Sequence, residues 1–276
     1  MMQTLLSISF GRNRAQLPVN CMAQAAANTR TKLLGAGWSR KIPEQEWRHY
    51  DKVLQAMRSA SIPFALGGAF AVATYTGGWR NTKDLDLYVL PRHRNRVMEL
   101  LGQLGMKDYY EQRPYDRHWI YRATSDGVIV DVMWAMANRR ARVDEWWISG
   151  PEVTIRGHEM RVLPAEAILW DKLYIMQRER CDWPDAMNIL YFQGDVLDWK
   201  AVLKRVGEDT ELLAGALSVF RWISPGVAQR LPEWLWHVVK LPTPPAQPLP
   251  KIDKRHVSFM DRRPWYGPDR RRQFAA

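Results

Sequence analysis

Two aspartates with a single residue between them, Asp84 and Asp86, are the residues with the clearest chemical potential in this sequence. They begin the segment DLDLYVL, whose polar and apolar residues alternate before it becomes fully apolar, which predicts a strand. Residues i and i+2 of a strand point to one face, so the two carboxylates should lie side by side while Leu85 and Leu87 enter the core. Adjacent carboxylates repel, and a divalent cation such as Mg²⁺ relieves that repulsion. The spacing indicates a metal site, with a solvated strand edge as the alternative.

A third carboxylate, Asp131, lies in the middle of the apolar, β-branched segment GVIVDVMW. A charged residue inside a buried strand requires a partner. If this strand lies beside the one that carries Asp84 and Asp86, the three carboxylates converge. Such a trio can hold two metal ions about 4 Å apart, an arrangement used for in-line phosphoryl and nucleotidyl displacement.

A pair of glycines, Gly67-Gly68, follows the short apolar run Phe64-Ala65-Leu66 and precedes a small apolar segment that predicts a helix. Because glycine has no Cβ, backbone N–H groups can approach a phosphate closely at the start of that helix. The chain from Gly67 to Asp86 therefore combines a predicted phosphate site with a predicted metal site.

The pattern of an apolar run, Gly-Gly, a spacer and R-x-T-x-DLDL, followed by Asp131, resembles the nucleotidyltransferase superfamily of the DNA polymerase β type. It is most similar to small bacterial nucleotidyltransferase-like proteins, including AbiEii-type toxins of type IV toxin–antitoxin pairs. The resemblance extends from about residue 47 to 190. It includes DKLYIMQRERCDWPD, in which Lys172 corresponds to a helical-domain lysine that reaches toward the triphosphate.

The resemblance implies transfer of a nucleoside monophosphate from a nucleoside triphosphate to an acceptor hydroxyl, with Mg²⁺ or Mn²⁺ as cofactor. Asp84 and Asp86 would bind both metal ions and Asp131 the second. The expected nucleotide-binding residues are Gly67, Gly68, Arg80, Thr82 and Lys172. The candidate acceptors are RNA such as tRNA, a protein hydroxyl or a small molecule, and the toxin likeness adds a cognate antitoxin as a candidate partner. The alternative is a non-catalytic protein that uses the same fold to bind a nucleotide or RNA.

The composition agrees with an anionic partner, since the net charge is +11 and the pI is about 9.8. The two cysteines, Cys21 and Cys181, form neither a disulfide framework nor a metal-ligand cluster, which favours a reducing cytoplasm. No apolar run approaches the roughly 18–20 residues of a transmembrane helix, so no membrane association is expected.

The predicted fold class is α/β, a mixed sheet with flanking helices followed by a helical domain. Residues 1–43 contain no Asp or Glu and predict a basic, disordered extension, with a transit peptide or a start codon set too early as alternatives. Residues 44–163 are the expected catalytic domain and 164–240 the helical domain. Residues 241–276 are the expected proline-rich linker and basic tail.

Two further stretches have structural and functional interpretations. Residues 109–122 alternate aromatic and basic side chains, a pattern that suits either base stacking or the packing of a half-buried strand. Asp182 and Asp185 fit the start of a helix, where a carboxylate caps free N–H groups. We therefore expect capping rather than catalysis from these two aspartates.

Overall fold

A computed structural model describes residues 31–80, 82 and 84–260 of the protein. A five-stranded mixed sheet forms its centre, with the spatial order β1-β2-β5-β4-β3. Only β2 and β5 pair in parallel, and the other three pairs are antiparallel. The strands are β1 (Phe64–Leu66), β2 (Asp84–Val89), β3 (Lys107–Asp108), β4 (Ile120–Ser125) and β5 (Val128–Met133).

A separate hairpin, β6 (Glu152–Ile155) and β7 (His158–Arg161), turns at Arg156-Gly157. Arg156 and Gly157 both have positive φ, at 48° and 84°. The chain after β7 returns to the main sheet, where Leu163 N–H donates to the carbonyl oxygen of Leu66 at 2.9 Å. The hairpin is therefore attached to the β1 edge of the central sheet.

The helices flank this sheet and then form a helical region. Helix α1 packs on β5 and on α3, while α2 contacts α4 and α5. The first three helices are α1 (Glu44–Ser59), α2 (Gly68–Thr76) and α3 (Arg94–Gln103). The later ones are α4 (Ala165–Leu173), α5 (Trp183–Gln193), α6 (Trp199–Val206), α7 (Thr210–Ile223), α8 (Pro225–Ala228), α9 (Glu233–Val238) and α10 (Lys254–Met260). The predicted α/β fold class is confirmed.

The folded part of the chain begins before residue 44, where the sequence placed the start of the catalytic domain. Residues Gly37–Lys41 form a 3₁₀ helix, and Trp38 is only 4% exposed. The Trp38 ring stacks on Trp79 at 5.0 Å and meets Phe70 edge-on. The expectation of disorder is wrong for residues 37–43, because one large aromatic side chain anchors them in the core. Residues 1–30 of the predicted extension lie outside the described residues.

The proline-rich segment after 241 leads to α10, whose His256 ring stacks on Trp222 at 4.1 Å. The first part of the predicted tail is therefore helical, and the basic residues from 261 onward lie outside the described residues. No helix in the described part of the chain is long and apolar enough to cross a membrane.

Candidate active site

The three predicted carboxylates lie together on one face of the sheet. Asp84 and Asp86 alternate with the fully buried Leu85 and Leu87 along β2, as the i, i+2 spacing requires. The parallel pairing of β2 with β5 places Asp131 directly opposite Asp86. One oxygen from each of the three aspartates lies within 4.8 Å of the other two. The predicted carboxylate trio therefore exists.

The third carboxylate has an additional partner that was not predicted from the sequence. Arg122 of β4 lies opposite Asp131 on its other side. Its Nε donates to Asp131 Oδ1 at 2.7 Å and its Nη2 to Oδ2 at 2.5 Å, so both oxygens of the 2% exposed Asp131 accept from one guanidinium. Arg122 was expected to contribute to base stacking or strand packing. In the structure its charged group neutralises one of the three carboxylates.

Burial determines the electrostatics of this cluster. Desolvation raises the pKa of Asp86 well above its usual range, and the negative charges of Asp84 and Asp131 raise it further. Burial also raises the pKa of Asp131, although the hydrogen bonds and charge of Arg122 oppose that increase. A carboxylate whose pKa is raised in this way is stabilised by a nearby cation.

The glycine pair shapes the turn beside the carboxylates, and the two glycines differ in role. An ideal Cβ on Gly68 would lie 1.6 Å from Asp86 Oδ2, and its φ of +46° is in the region that favours glycine. Gly67 packs against the ring of Tyr88, and its N–H donates to the carbonyl oxygen of Asp86 at 2.9 Å. The expected phosphate-donating role is therefore not available to the Gly67 N–H. It remains available to the N–H groups from Gly68 onward, at the start of α2.

Lys172 approaches the site from α4, buried to 6% exposure. Its Nζ lies 2.5 Å from Asp182 Oδ2 and 3.4 Å from Asp185 Oδ2. Burial acts to lower the pKa of Lys172, but the charges of Asp185, Asp182 and Asp171 outweigh it and raise the pKa. Lys172 is therefore a charged ammonium, and its nearest carboxylates belong to the helical region.

The capping role expected for Asp182 is wrong. Its side chain makes no cap hydrogen bond at the start of α5. Arg180 instead donates to Asp182 through Nε at 2.9 Å and through Nη2 at 2.8 Å, alongside the Lys172 ion pair. Two cations near one buried carboxylate outcompete a backbone N–H. Asp185 lies within the same network, at 3.4 Å from Arg80 Nη2.

The carboxylate trio and the Lys172–Asp182 ion pair line a common cavity of about 440 Å³. Among the predicted site residues it includes Gly68, Arg80, Thr82, Asp84, Asp86, Asp131 and Lys172. The Thr82 hydroxyl donates to Asp84 Oδ1 and so orients the carboxylate at the first residue of β2. Gly67 does not line the cavity. The structure brings the other predicted site residues together in it.

Four of the polar residues that line the cavity were not predicted as site residues from the sequence: Tyr88, Arg122, Asp171 and Arg180. The Tyr88 hydroxyl donates to Asp171 Oδ2 at 3.1 Å, and burial raises the pKa of both groups. Tyr88 could have been found, because it lies two residues after Asp86 and thus on the same strand face. Arg122 could also have been found, because the two-residue turn Asp126-Gly127 closes a hairpin whose register sets Arg122 opposite Asp131. The contact of Asp171 with Tyr88 joins distant segments, for which the sequence has no local signal.

A family model described as an uncharacterised nucleotidyltransferase matches residues 44–210, and the chain belongs to this family. The predicted membership in the nucleotidyltransferases is confirmed, while the closer likeness to AbiEii-type toxins stays a prediction. No curated protein matches the chain.

Several solved structures are similar to the chain at a low level. The antibiotic-resistance factor ANT(2″)-Ia in solution is 19% identical with a TM-score of 0.39, over 63% of this chain and 89% of that one. The lincosamide antibiotic adenylyltransferase LnuA, with lincomycin bound, is 16% identical with a TM-score of 0.38, over 54% and 96%. An antigenic nucleotidyltransferase-like protein from Paracoccidioides brasiliensis is 20% identical with a TM-score of 0.39, over 64% and 94%.

Proposed function

We propose that this protein transfers a nucleoside monophosphate from a nucleoside triphosphate to a hydroxyl group of an acceptor. The observation that carries the proposal is the carboxylate trio beside the start of α2, in a cavity that also contains Lys172 and Arg180. The acceptor oxygen would form a bond to the α-phosphorus, and the bond from that phosphorus to the β-phosphate oxygen would break. Pyrophosphate would leave, and the hydroxyl proton would pass to Asp131 or to water.

The donor set fits a hard divalent cation. Three carboxylates supply oxygen ligands within 4.8 Å of one another, and the missing Cβ of Gly68 lets the Asp86 carboxylate lie directly against the turn. Asp84 and Asp86 would hold Mg²⁺ or Mn²⁺, with Asp131 as a further ligand. When bound, the cation supplies charge neutralisation for the triphosphate and lowers the pKa of an attacking hydroxyl.

The protein's own cations would orient the triphosphate. The first N–H groups of α2 have no acceptor inside the helix, and Gly68 and Ala69 at its start line the cavity. Lys172, Arg180 and the largely exposed Arg80 line the same cavity. These positive groups would bind the phosphates and stabilise the charge that develops on pyrophosphate.

We propose RNA as the acceptor because a basic groove adjoins the cavity. A space of about 460 Å³ is lined by Arg92, Arg94 and Arg142 together with His118 and Trp134. Ala135 lines both the groove and the cavity, and it forms a β-bridge with Arg142. The Arg94 guanidinium lies 5.7 Å from the centre of the Trp134 ring. Clustered arginines suit a phosphate backbone, and a neighbouring hydroxyl could then reach the trio.

One observation favours the second candidate, a non-catalytic nucleotide-binding or RNA-binding protein. Arg122 occupies both oxygens of Asp131, the residue that would be the third metal ligand. A binding protein has no need of a free third carboxylate, so this pairing would suit it.

The decisive experiment incubates the full chain with each α-³²P-labelled nucleoside triphosphate, Mg²⁺, and either total RNA, a cell lysate or a panel of small hydroxyl-bearing compounds. We expect label to appear in RNA. Asp84→Asn should abolish labelling, whereas Glu99→Gln, an exposed acid on α3, should leave it unchanged. Nucleotide binding without transfer to any acceptor would support the non-catalytic candidate instead.

The groove is tested by removing two of its arginines. Arg94→Ala combined with Arg142→Ala should reduce RNA labelling about tenfold and weaken its salt dependence, with the KM for the nucleotide unchanged. Arg48→Ala combined with Lys52→Ala, which removes two exposed charges from α1, is the matched control. Equal losses in both double variants would argue against a specific groove.

A further inference from the structure

Arg122, Asp131 and Asp86 form a continuous row across β4, β5 and β2. Asp131 is directly opposite Arg122 on one side and Asp86 on the other. Adjacent strands are roughly 4.8 Å apart, so the row is fixed by backbone pairing rather than by a flexible loop. The arginine is therefore a permanent neighbour of the cluster.

The side chain of Arg122 is also held in place. Two nitrogens of its guanidinium donate to the two oxygens of Asp131, and such a bidentate ion pair is stronger than a single hydrogen bond. Its backbone N–H donates to the Tyr115 hydroxyl oxygen at 3.0 Å, and its guanidinium lies 5.8 Å from the centre of the Tyr109 ring. The partly buried Arg122 therefore has no need to reorganise to reach Asp131.

This contact changes the charge that the cluster offers to metal ions. When all three carboxylates are ionised, as cation binding requires, the guanidinium of Arg122 leaves two negative charges, which a single divalent cation balances. A second cation at Asp131 would lie next to a guanidinium whose nitrogens are 2.7 Å and 2.5 Å from the same oxygens. Like charges repel strongly where water is excluded, so the second cation would have to displace Arg122.

We propose that Arg122 is a built-in counter-ion that takes the place of a second metal, so that the protein without substrate binds one divalent cation, at Asp84 and Asp86. The inference rests on the metal site of the proposed function. The sequence predicted two metal ions, whereas we infer one for the protein without substrate. Arg122 then acts as a positioning residue that sets the metal stoichiometry of the cluster.

The test is a titration of the full chain with Mn²⁺, followed by electron paramagnetic resonance of the free ion, without nucleotide. We expect a single Mn²⁺ per wild-type chain. In Arg122→Met a second Mn²⁺ should bind at least about tenfold more tightly than in the wild type, because the competing cation is gone. Adding Asp131→Asn to Arg122→Met should return the count to one. Arg117→Met, which breaks the Arg117–Asp108 ion pair outside the cluster, should behave as the wild type does.

Two Mn²⁺ bound with similar affinity to the wild type would overturn the inference, even if Arg122→Met fails to fold. A count that stays at one in a folded Arg122→Met would overturn it as well. Absence of any Mn²⁺ binding would remove the metal site itself, and with it this inference. The labelling experiment judges nucleotidyl transfer separately, so a protein that transfers label while binding two Mn²⁺ contradicts this inference alone.

Discussion

Lys172 and Asp182 form a buried ion pair, 2.5 Å from Nζ to Oδ2, that joins α4 to the start of α5. Both residues are less than 10% exposed, at 6% and 7%. They belong to segments separated by the bend that contains Arg178–Cys181. Both residues line the cavity that contains the carboxylate trio, so the pair fixes part of its lining.

Removing the ammonium should destabilise the protein. Lys172→Met leaves Asp182 buried with Arg180 as its remaining charged partner, so we expect a loss of about 3–5 kcal/mol in the free energy of unfolding. Urea denaturation measures it. Lys204→Met, at an exposed position on α6, should change stability by less than about 0.5 kcal/mol. Equal stability of the two variants would show that the pair contributes little.

Asp182 should make stability depend on pH in the acid range. Burial acts to raise the pKa of Asp182, but the hydrogen bonds from Arg180 and the charge of Lys172 outweigh it and lower the pKa to about 2. A carboxyl whose pKa is lower when folded adds stability above its unfolded pKa of about 3.9 and loses it as the pH falls through the folded value.

We expect wild type to be more stable than Asp182→Asn at neutral pH. That advantage should shrink by about 2 kcal/mol between about pH 5 and pH 2. Urea unfolding of both proteins at a series of pH values gives the difference directly. A difference that stays constant with pH would mean that the carboxylate charge is not what stabilises this position.

A side chain at position 68 should disrupt the metal site. In Gly68→Ala the new Cβ would collide with Asp86, and the positive φ would strain the backbone by about 1–3 kcal/mol. We expect lower thermal stability, loss of Mn²⁺ binding and loss of transfer. Gly102→Ala on α3 is the control, because its Cβ would meet nothing within 4 Å and alanine favours a helix. Normal Mn²⁺ affinity in a folded Gly68→Ala would contradict the role given to this glycine.

The segment before α1 should contribute to the stability of the whole fold. Trp38→Ala removes a buried ring that stacks on Trp79, so we expect a loss of about 3–5 kcal/mol in the free energy of unfolding. Trp234→Ala, at a position that is 41% exposed, should cost far less. If both substitutions have the same small effect in urea denaturation, residues 37–43 do not stabilise the fold.

The sequence alone determined the local parts of the site. The period-2 alternation around Asp84 and Asp86 predicted one strand with two carboxylates on one face, and the structure has it. Asp131 inside an apolar run predicted a buried charge that needs partners. Gly67-Gly68 predicted the start of a helix with exposed backbone N–H groups. Each signal lies within a few residues, where backbone geometry alone dictates which side chains share a face.

Only the tertiary structure decided which partners those residues meet. The parallel pairing of β2 and β5 placed Asp131 opposite Asp86. Asp182 looked like a helix cap from its neighbours in sequence, yet it binds Lys172 from ten residues away. The pairing of β2 with β5 and the docking of α4 on α5 result from the packing of the whole core, so no local pattern encodes them. The contact of Arg122 with Asp131 is different, because the two-residue turn Asp126-Gly127 joins β4 to β5 and sets that register locally.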